Sequence, residues 1–260
     1  MQNKEIKTIE DLSLNAWPSH QMQLYDGWIL RFSYLYTHRT NCVEQFGSSV
    51  LPLEEKIPYC EEIYRRWKSP CIFKITPLSD PELDGMLEAR GYEKQKVTCT
   101  MCMELLETES STSRKKRFTT IRVGDMTVRD RIPDEWIDAL FAIKGDATVT
   151  HLKIVPSMYA AIPKDVRCVY IRDEEKIVAT GLGILDREYI GVYAINVESG
   201  HRRQGLARKI VETLLEEGKK AGAKRAYLQV VANNDPAIRL YEDLGFSPAY
   251  TYWFRVKSTM

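Results

Sequence analysis

Residues 198–215 read ESGHRRQGLARKIVETLL, two glycines and a crowd of cations set directly before an apolar run. The apolar positions 206, 207, 210, 211, 214 and 215 fall on one stripe, which predicts a helix packed on a sheet. A helix start leaves about four backbone amides unpaired, and the macrodipole makes that end positive. Ser, Asp or a neighbouring acid ordinarily satisfies them. Here the first turn offers Gly205 and Ala207, with Arg202, Arg203 and Arg208 around them. Glycine lets something approach the backbone closely, and alanine keeps the approach clear. The pattern suits an anion brought from outside, most simply a phosphate group.

The common nucleotide motifs do not fit. Gly200 and Gly205 stand at P-loop spacing, but Leu206-Ala207 occupies the place of the required Lys-Ser/Thr. Neither the β- and γ-phosphates nor Mg²⁺ would be held, which argues against an NTPase. A GxGxxG fingerprint is also missing. A second cluster lies downstream: Asn234, Ala237, Tyr241 and Gly245-Phe246. Tyr241 shares a helical face with Ala237, Leu240 and Leu244, and on these residues alone it reads as a packed aromatic. Asn234 and Asp235 could each cap the helix that Pro236 begins, and Asp235 is the stronger cap by position.

Arg202-Arg203-Gln204-Gly205-Leu206-Ala207, together with the downstream cluster, resembles the signature of the GCN5-related N-acetyltransferases over about residues 119–260. The resemblance implies an α/β (α+β) fold of mixed β-sheets flanked by helices, and acetyl-CoA as co-substrate. It implies that the amides of Arg203, Gln204, Gly205, Leu206, Ala207 and Arg208, with Arg202 alongside, receive the coenzyme's pyrophosphate. Ile195, Asn196 and Val197 at the preceding strand end would pair with the pantetheine arm like an added strand, and the Val197 N–H would polarise the acetyl carbonyl. Tyr241 matches the general acid for the departing thiolate, and Asn234 the residue that hydrogen-bonds the arm. Ile195 and Val197 would be apolar in an ordinary sheet core as well.

Some relatives carry a glutamate base where this chain has Gln229, and an amide cannot accept the proton, so a non-catalytic acyl-CoA-binding or regulatory module stays open beside the N-acetyltransferase, as does a transferase of another acyl group. Tyr193, on the strand ending at Val197, is the nearest polar candidate at the acceptor face. Glu188, Glu198 and His201 are further possibilities, each with a simpler reading as a turn or solvated loop residue. A water chain would serve instead. The acceptor itself, a small-molecule or a protein amine, is not identified by these residues.

These groups need elements to position them. A strand should end near Val197, a helix should run from about 204–207 to Gly218 or Gly222, and YLQVV should be the next strand. VRCVYIRD, KIVATGLGIL and EYIGVYAINV read as a meander, and PDEWIDALFAIKG as a helix from Pro133 to Gly145. The stretch DATVTHLKIVPSMYAAIPKD reads as a long loop on the acceptor side. In the first half, GWILRFSY follows an Asp26-Gly27 turn, and THRTNCVEQF reads as a strand after it. DPELDGMLEARGY at 80–92 parallels DPAIRLYEDLGF at 235–246, each between strands. This suggests a diverged internal duplication. The division expected is a degenerate copy at 1–108, a linker at 109–118 and the catalytic copy at 119–260. The first copy's matching loop, VLPLEEKIPYC, lacks both the glycine and the arginines.

The chain has 260 residues, 44% hydrophobic and 28% charged, with a formal net charge of +1. Near-neutral charge argues against nucleic acid as a partner. No apolar run approaches the roughly 18 residues that span a bilayer, and the polar start MQNKEIKTIEDL shows no signal peptide. A cytoplasmic protein, monomeric or a homodimer, is expected. The six cysteines are then free thiols. Cys99 and Cys102, although spaced CxxC, should point to opposite faces of one strand. His38 and His151 stand alone, so no metal is expected.

Overall fold

The computed structural model describes residues 1–105 and 124–257, so the expected linker at 109–118 lies outside the described residues. In chain order the first half contains α1 (Asn3–Ala16), β1 (Gln21–Tyr25), β2 (Trp28–Phe32), β3 (Val43–Gln45), α2 (Leu53–Arg66), β4 (Cys71–Ile75), α3 (Leu83–Ala89) and β5 (Glu93–Glu104). The second half contains β6 (Met126–Arg129), α4 (Asp134–Lys144), α5 (Val149–Ala160), β7 (Asp165–Asp173), β8 (Lys176–Asp186) and β9 (Tyr189–Val197). It continues with α6 (Leu206–Lys220), β10 (Arg225–Val231), α7 (Asp235–Asp243) and β11 (Ser247–Lys257).

The eleven strands of the described residues join one mixed sheet, in the order β1-β2-β3-β4-β11-β5-β10-β9-β8-β7-β6. Each half runs through an antiparallel meander into one parallel crossover, β3-α2-β4 and β9-α6-β10. The last strands are then exchanged. β11 pairs with β4 of the first half, from Trp253↔Ile75 to Lys257↔Cys71, while β5 pairs with β10 of the second, from Arg225↔Glu104 to Val231↔Thr98. β5 and β11 also pair with each other at the centre. The mixed α/β reading therefore holds, with the sheets of the two halves fused into one.

α6 follows its apolar stripe. Leu206, Ile210, Val211, Leu214 and Leu215 are buried, and burying each such side chain contributes about 1.5–3 kcal/mol. Gly181 on β8 makes the fit close: a Cβ there would come within 2.2 Å of Ile210 Cγ2. The helix runs past Gly218 and ends before Gly222, which adopts φ +87°.

Several local expectations need correction. The stretch read as a long loop contains α5, capped by Thr148, whose hydroxyl accepts from the His151 amide. Pro156 and the branched Val149, Thr150, Ile154 and Val155 hid it, because all have poor intrinsic helix preference. THRTNCVEQF supplies only the short β3, preceded by a 3-10 turn at His38–Thr40. The N-terminus, for which the sequence reading sets no element, forms α1 and buries Ile6, Ile9, Leu12 and Ala16. Asn234, not Asp235, caps α7: its Oδ1 accepts from the Ala237 amide at 3.4 Å.

The cysteines are all free. Cys99 packs with the apolar residues around α6 and Cys102 with those on the opposite side of the sheet, as the strand alternation requires. A buried charge network lies under α1. Lys74 on β4 bonds Glu10 of α1 and reaches Glu44 of β3 at 3.2 Å, while Arg31 of β2 reaches the same Glu44 at 3.4 Å.

Candidate active site

The site begins with an irregular strand. Between the pairs Thr180↔Asn196 and Leu182↔Tyr193 the β8–β9 register slips by one residue. Ala194 takes φ +51°, unusual for a residue with a side chain. Such a bulge bends its strand. The parallel pairing of β9 with β10 accordingly stops at Val192↔Leu228, although β10 stays paired with β5 as far as Val231. From Tyr193 to Val197, β9 presents backbone groups to a gap. The Glu198 amide donates to Val178 on the β8 side at 2.9 Å. Amides alternate along a strand, so that of Val197 faces the gap.

The loop after β9 delivers α6. Arg203 and Gly205 both have left-handed backbones, φ +65° and +77°. Gly205 is the N-cap, no side chain caps the helix, and its first turn contains no acid. The free amides therefore remain available. Arg208 pairs with Asp243 at 3.0 Å. Arg202 donates through Nε to the Val197 carbonyl at 3.2 Å, and neither Arg202 nor Arg203 forms an ion pair with a described carboxylate. Two exposed cations without counter-ions thus flank an uncapped helix start.

A cleft of about 1140 Å³ joins these parts. It brings together Tyr193, Ile195, Asn196, Val197, Arg202, Arg203, Gly205, Leu206, Ala207, Arg208, Asn234 and Tyr241. Gln204 stands apart, turned toward the Gly200 carbonyl at 3.5 Å. Tyr241 is 8% exposed and packs edge-on against Phe246. Burial pushes its pKa up to about 12, so the hydroxyl keeps its proton at neutral pH.

The candidates for a base fare differently. Glu188 bonds Lys224 away from the cleft. Glu198 is held by Lys176, and His201 sits 3.0 Å from both Asp173 and Glu198. Tyr193 shares a buried hydroxyl–hydroxyl bond with Tyr227, and burial raises its pKa. That hydroxyl is poorly suited to take a proton. Gln229 accepts from Arg39 Nη1 at 2.6 Å and donates to Ser13 at 3.3 Å.

Four lining residues from the first half went unnoticed in the sequence: Trp17, Tyr36, Thr37 and Arg39, while Asp146 and Tyr159, the latter within α5, come from the stretch expected on the acceptor side, where Tyr159 reads as a residue that could line an apolar pocket. Asp146 is the one carboxylate among the described lining residues. No local pattern marks the residues of the first half, since chain folding alone brings them here.

Residues 133–246 match the Acetyltransferase (GNAT) family. The chain is 28% identical over 253 residues to the uncharacterized N-acetyltransferase YobR of Bacillus subtilis, covering 97% of this chain and 99% of that one. In fold it is similar to a GCN5-related N-acetyltransferase from Kribbella flavida, with TM-score 0.66, 19% identity, and 98% and 95% of the two chains covered. It is also similar to a tandem GNAT protein from the clavulanic acid biosynthesis pathway, with TM-score 0.59, 12% identity, and 83% and 75% covered. The protein is an acyltransferase whose residues 133–246 match a GNAT acetyltransferase domain.

Proposed function

We propose that the protein transfers an acetyl group directly from the thioester of acetyl-CoA to a primary amine. The observation that carries this is the meeting, in one cleft, of an uncapped helix start flanked by Arg202 and Arg203 with a strand edge freed by the Ala194 bulge. The residues fit the coenzyme. Amides at Gly205–Arg208 and the two unpaired arginines suit a diphosphate. The open edge of Ile195–Val197 suits an amide-bearing arm, and Asn234 lies alongside.

The chain's own groups supply the rest. The Val197 N–H faces the place where charge develops on the carbonyl oxygen, and one such donor is worth about 10²–10³ in rate. Tyr241, protonated at neutral pH as any phenol is, donates to the departing sulfur. The attacking amine must be neutral, although a lysine-like ammonium has a pKa near about 10.4. Asp146 or a water in the cleft takes the proton.

The mirrored strand order of the two halves supports a tandem protein whose first copy has lost its own anion loop and instead walls the acceptor end. We place it in the cytoplasm, as a monomer or a homodimer. Incubation with acetyl-CoA and a panel of amines, following free thiol, tests the reaction. Amine-dependent thiol release is expected, and none across a broad panel would contradict it.

A further inference from the structure

The acceptor end of the cleft is aromatic and carries an uncompensated cation. The Trp17 ring lies 5.6 Å from Tyr159, 6.0 Å from Tyr193 and 6.2 Å from Tyr36. Arg39 sits over the Trp17 face at 5.6 Å. Its guanidinium is fixed by Gln229, one residue past the last β9–β10 pair, and forms no ion pair with a described carboxylate. Lys144 is a second cation there, 3.7 Å from Asp146 and over the Tyr36 ring.

Gln229 is informative in this setting. A glutamate at that point would pair with Arg39 and cancel its charge. The amide holds the guanidinium in place and leaves its charge and its remaining donors to a visitor. A planar fork of this kind matches a carboxylate in two-point contact. Two cations against one carboxylate also disfavour polyamines.

We infer that the acceptor is an amine bearing a carboxylate, bound through Arg39, with an apolar or aromatic body against Trp17, Tyr36 and Tyr159. This rests on the reading of the cleft as an acetyl-transfer site. It assigns Arg39, from the degenerate half, as the residue that selects the substrate.

The test is calorimetric titration of the full chain, with CoA present, by N-acetyl-L-phenylalanine and by N-acetylphenethylamine, which lacks only the carboxylate. The acid should bind at least about tenfold tighter, as a charge-assisted contact in a shielded site allows. Arg39→Met should abolish the difference, Arg39→Lys should keep part of it, and Gln229→Glu should reduce it without removing the arginine. Equal affinity of the two compounds, failure of both to bind at millimolar concentration, or a difference that survives Arg39→Met would overturn the inference. CoA titrated alone into the same proteins reads the coenzyme site separately. Loss of that signal with acid selectivity intact would strike the proposed reaction and leave the anion site standing.

Discussion

Val192 and Leu228 are the last partners in the parallel pairing of β9 with β10, and beyond them the two strands part. The bulge at Ala194 turns β9 away while β5 holds β10 in place. What would be a continuous sheet becomes a cleft floored by unpaired backbone, and α6 aims its free amides into it. The following consequences can be measured.

Ala207→Asp sets two effects against each other. An acid in the first turn interacts favourably with the helix dipole, by about 0.3–1 kcal/mol. The same carboxylate would repel a diphosphate from the amides of α6. The variant should melt no lower than the parent and bind CoA far more weakly by calorimetry. A parallel fall in both would indicate damage to the helix.

Tyr241→Phe should lower kcat by about 10²–10⁴, the usual range for a lost general acid, with little change in KM for acetyl-CoA. The hydroxyl also makes a pH prediction. Its pKa rises from an ordinary value near about 10 to about 12 in the fold, so the fold favours the neutral phenol. That contribution is complete below pH of about 10 and is lost as pH rises towards about 12. Denaturation as a function of pH should show a smaller alkaline loss in the phenylalanine variant.

Lys74→Met removes a cation that is 2% exposed and answers both Glu10 and Glu44. The carboxylates pull its pKa upward against burial, so it is charged in the fold. Glu44 keeps Arg31, but Glu10 loses its cation and, among the described residues, retains only the Tyr250 hydroxyl, and removing one partner of a buried pair costs about 3–5 kcal/mol. Urea denaturation should show a loss of that size, and a change below about 1 kcal/mol would contradict the network's role.

The strand exchange makes the halves interdependent. β11 is wedged between β4 and β5, and β5 between β11 and β10. A chain ending at residue 246 should lose structure in both halves, with loss of Trp28 and Phe73 packing in the first half as well as of the cleft. Urea unfolding of the full chain, followed by circular dichroism and by tryptophan fluorescence, should give coincident single transitions. Two separated transitions would show that the halves fold alone.

The grouping of residues at the proposed coenzyme end of the cleft was legible because its pattern is local. Residues 202–208 and 234–246 place glycine, arginine, asparagine and tyrosine at spacings set by one loop and two helices, and the stripe of α6 is read directly from the chain. Helix α5 was not, since Pro156 and branched residues oppose local preference and tertiary contacts override it. The cap on α7 moved from Asp235 to Asn234 because both suit the role and only the backbone angles decide. The exchange of β5 and β11 depends on ladder partners far apart in sequence. The acceptor wall was hidden for the same reason: Arg39 and Gln229 stand 190 positions apart.

The receptacle at Gly205 is tested most directly by titrating CoA calorimetrically into the wild-type chain and Gly205→Val. Valine at φ +77° is strained by about 1–3 kcal/mol, and its side chain would crowd the anion path. The wild type should bind with clear heat and the variant at least about tenfold more weakly, equivalent to roughly 1.4 kcal/mol. Equal affinity of the two proteins, or no heat from the wild type at millimolar CoA, would contradict the account.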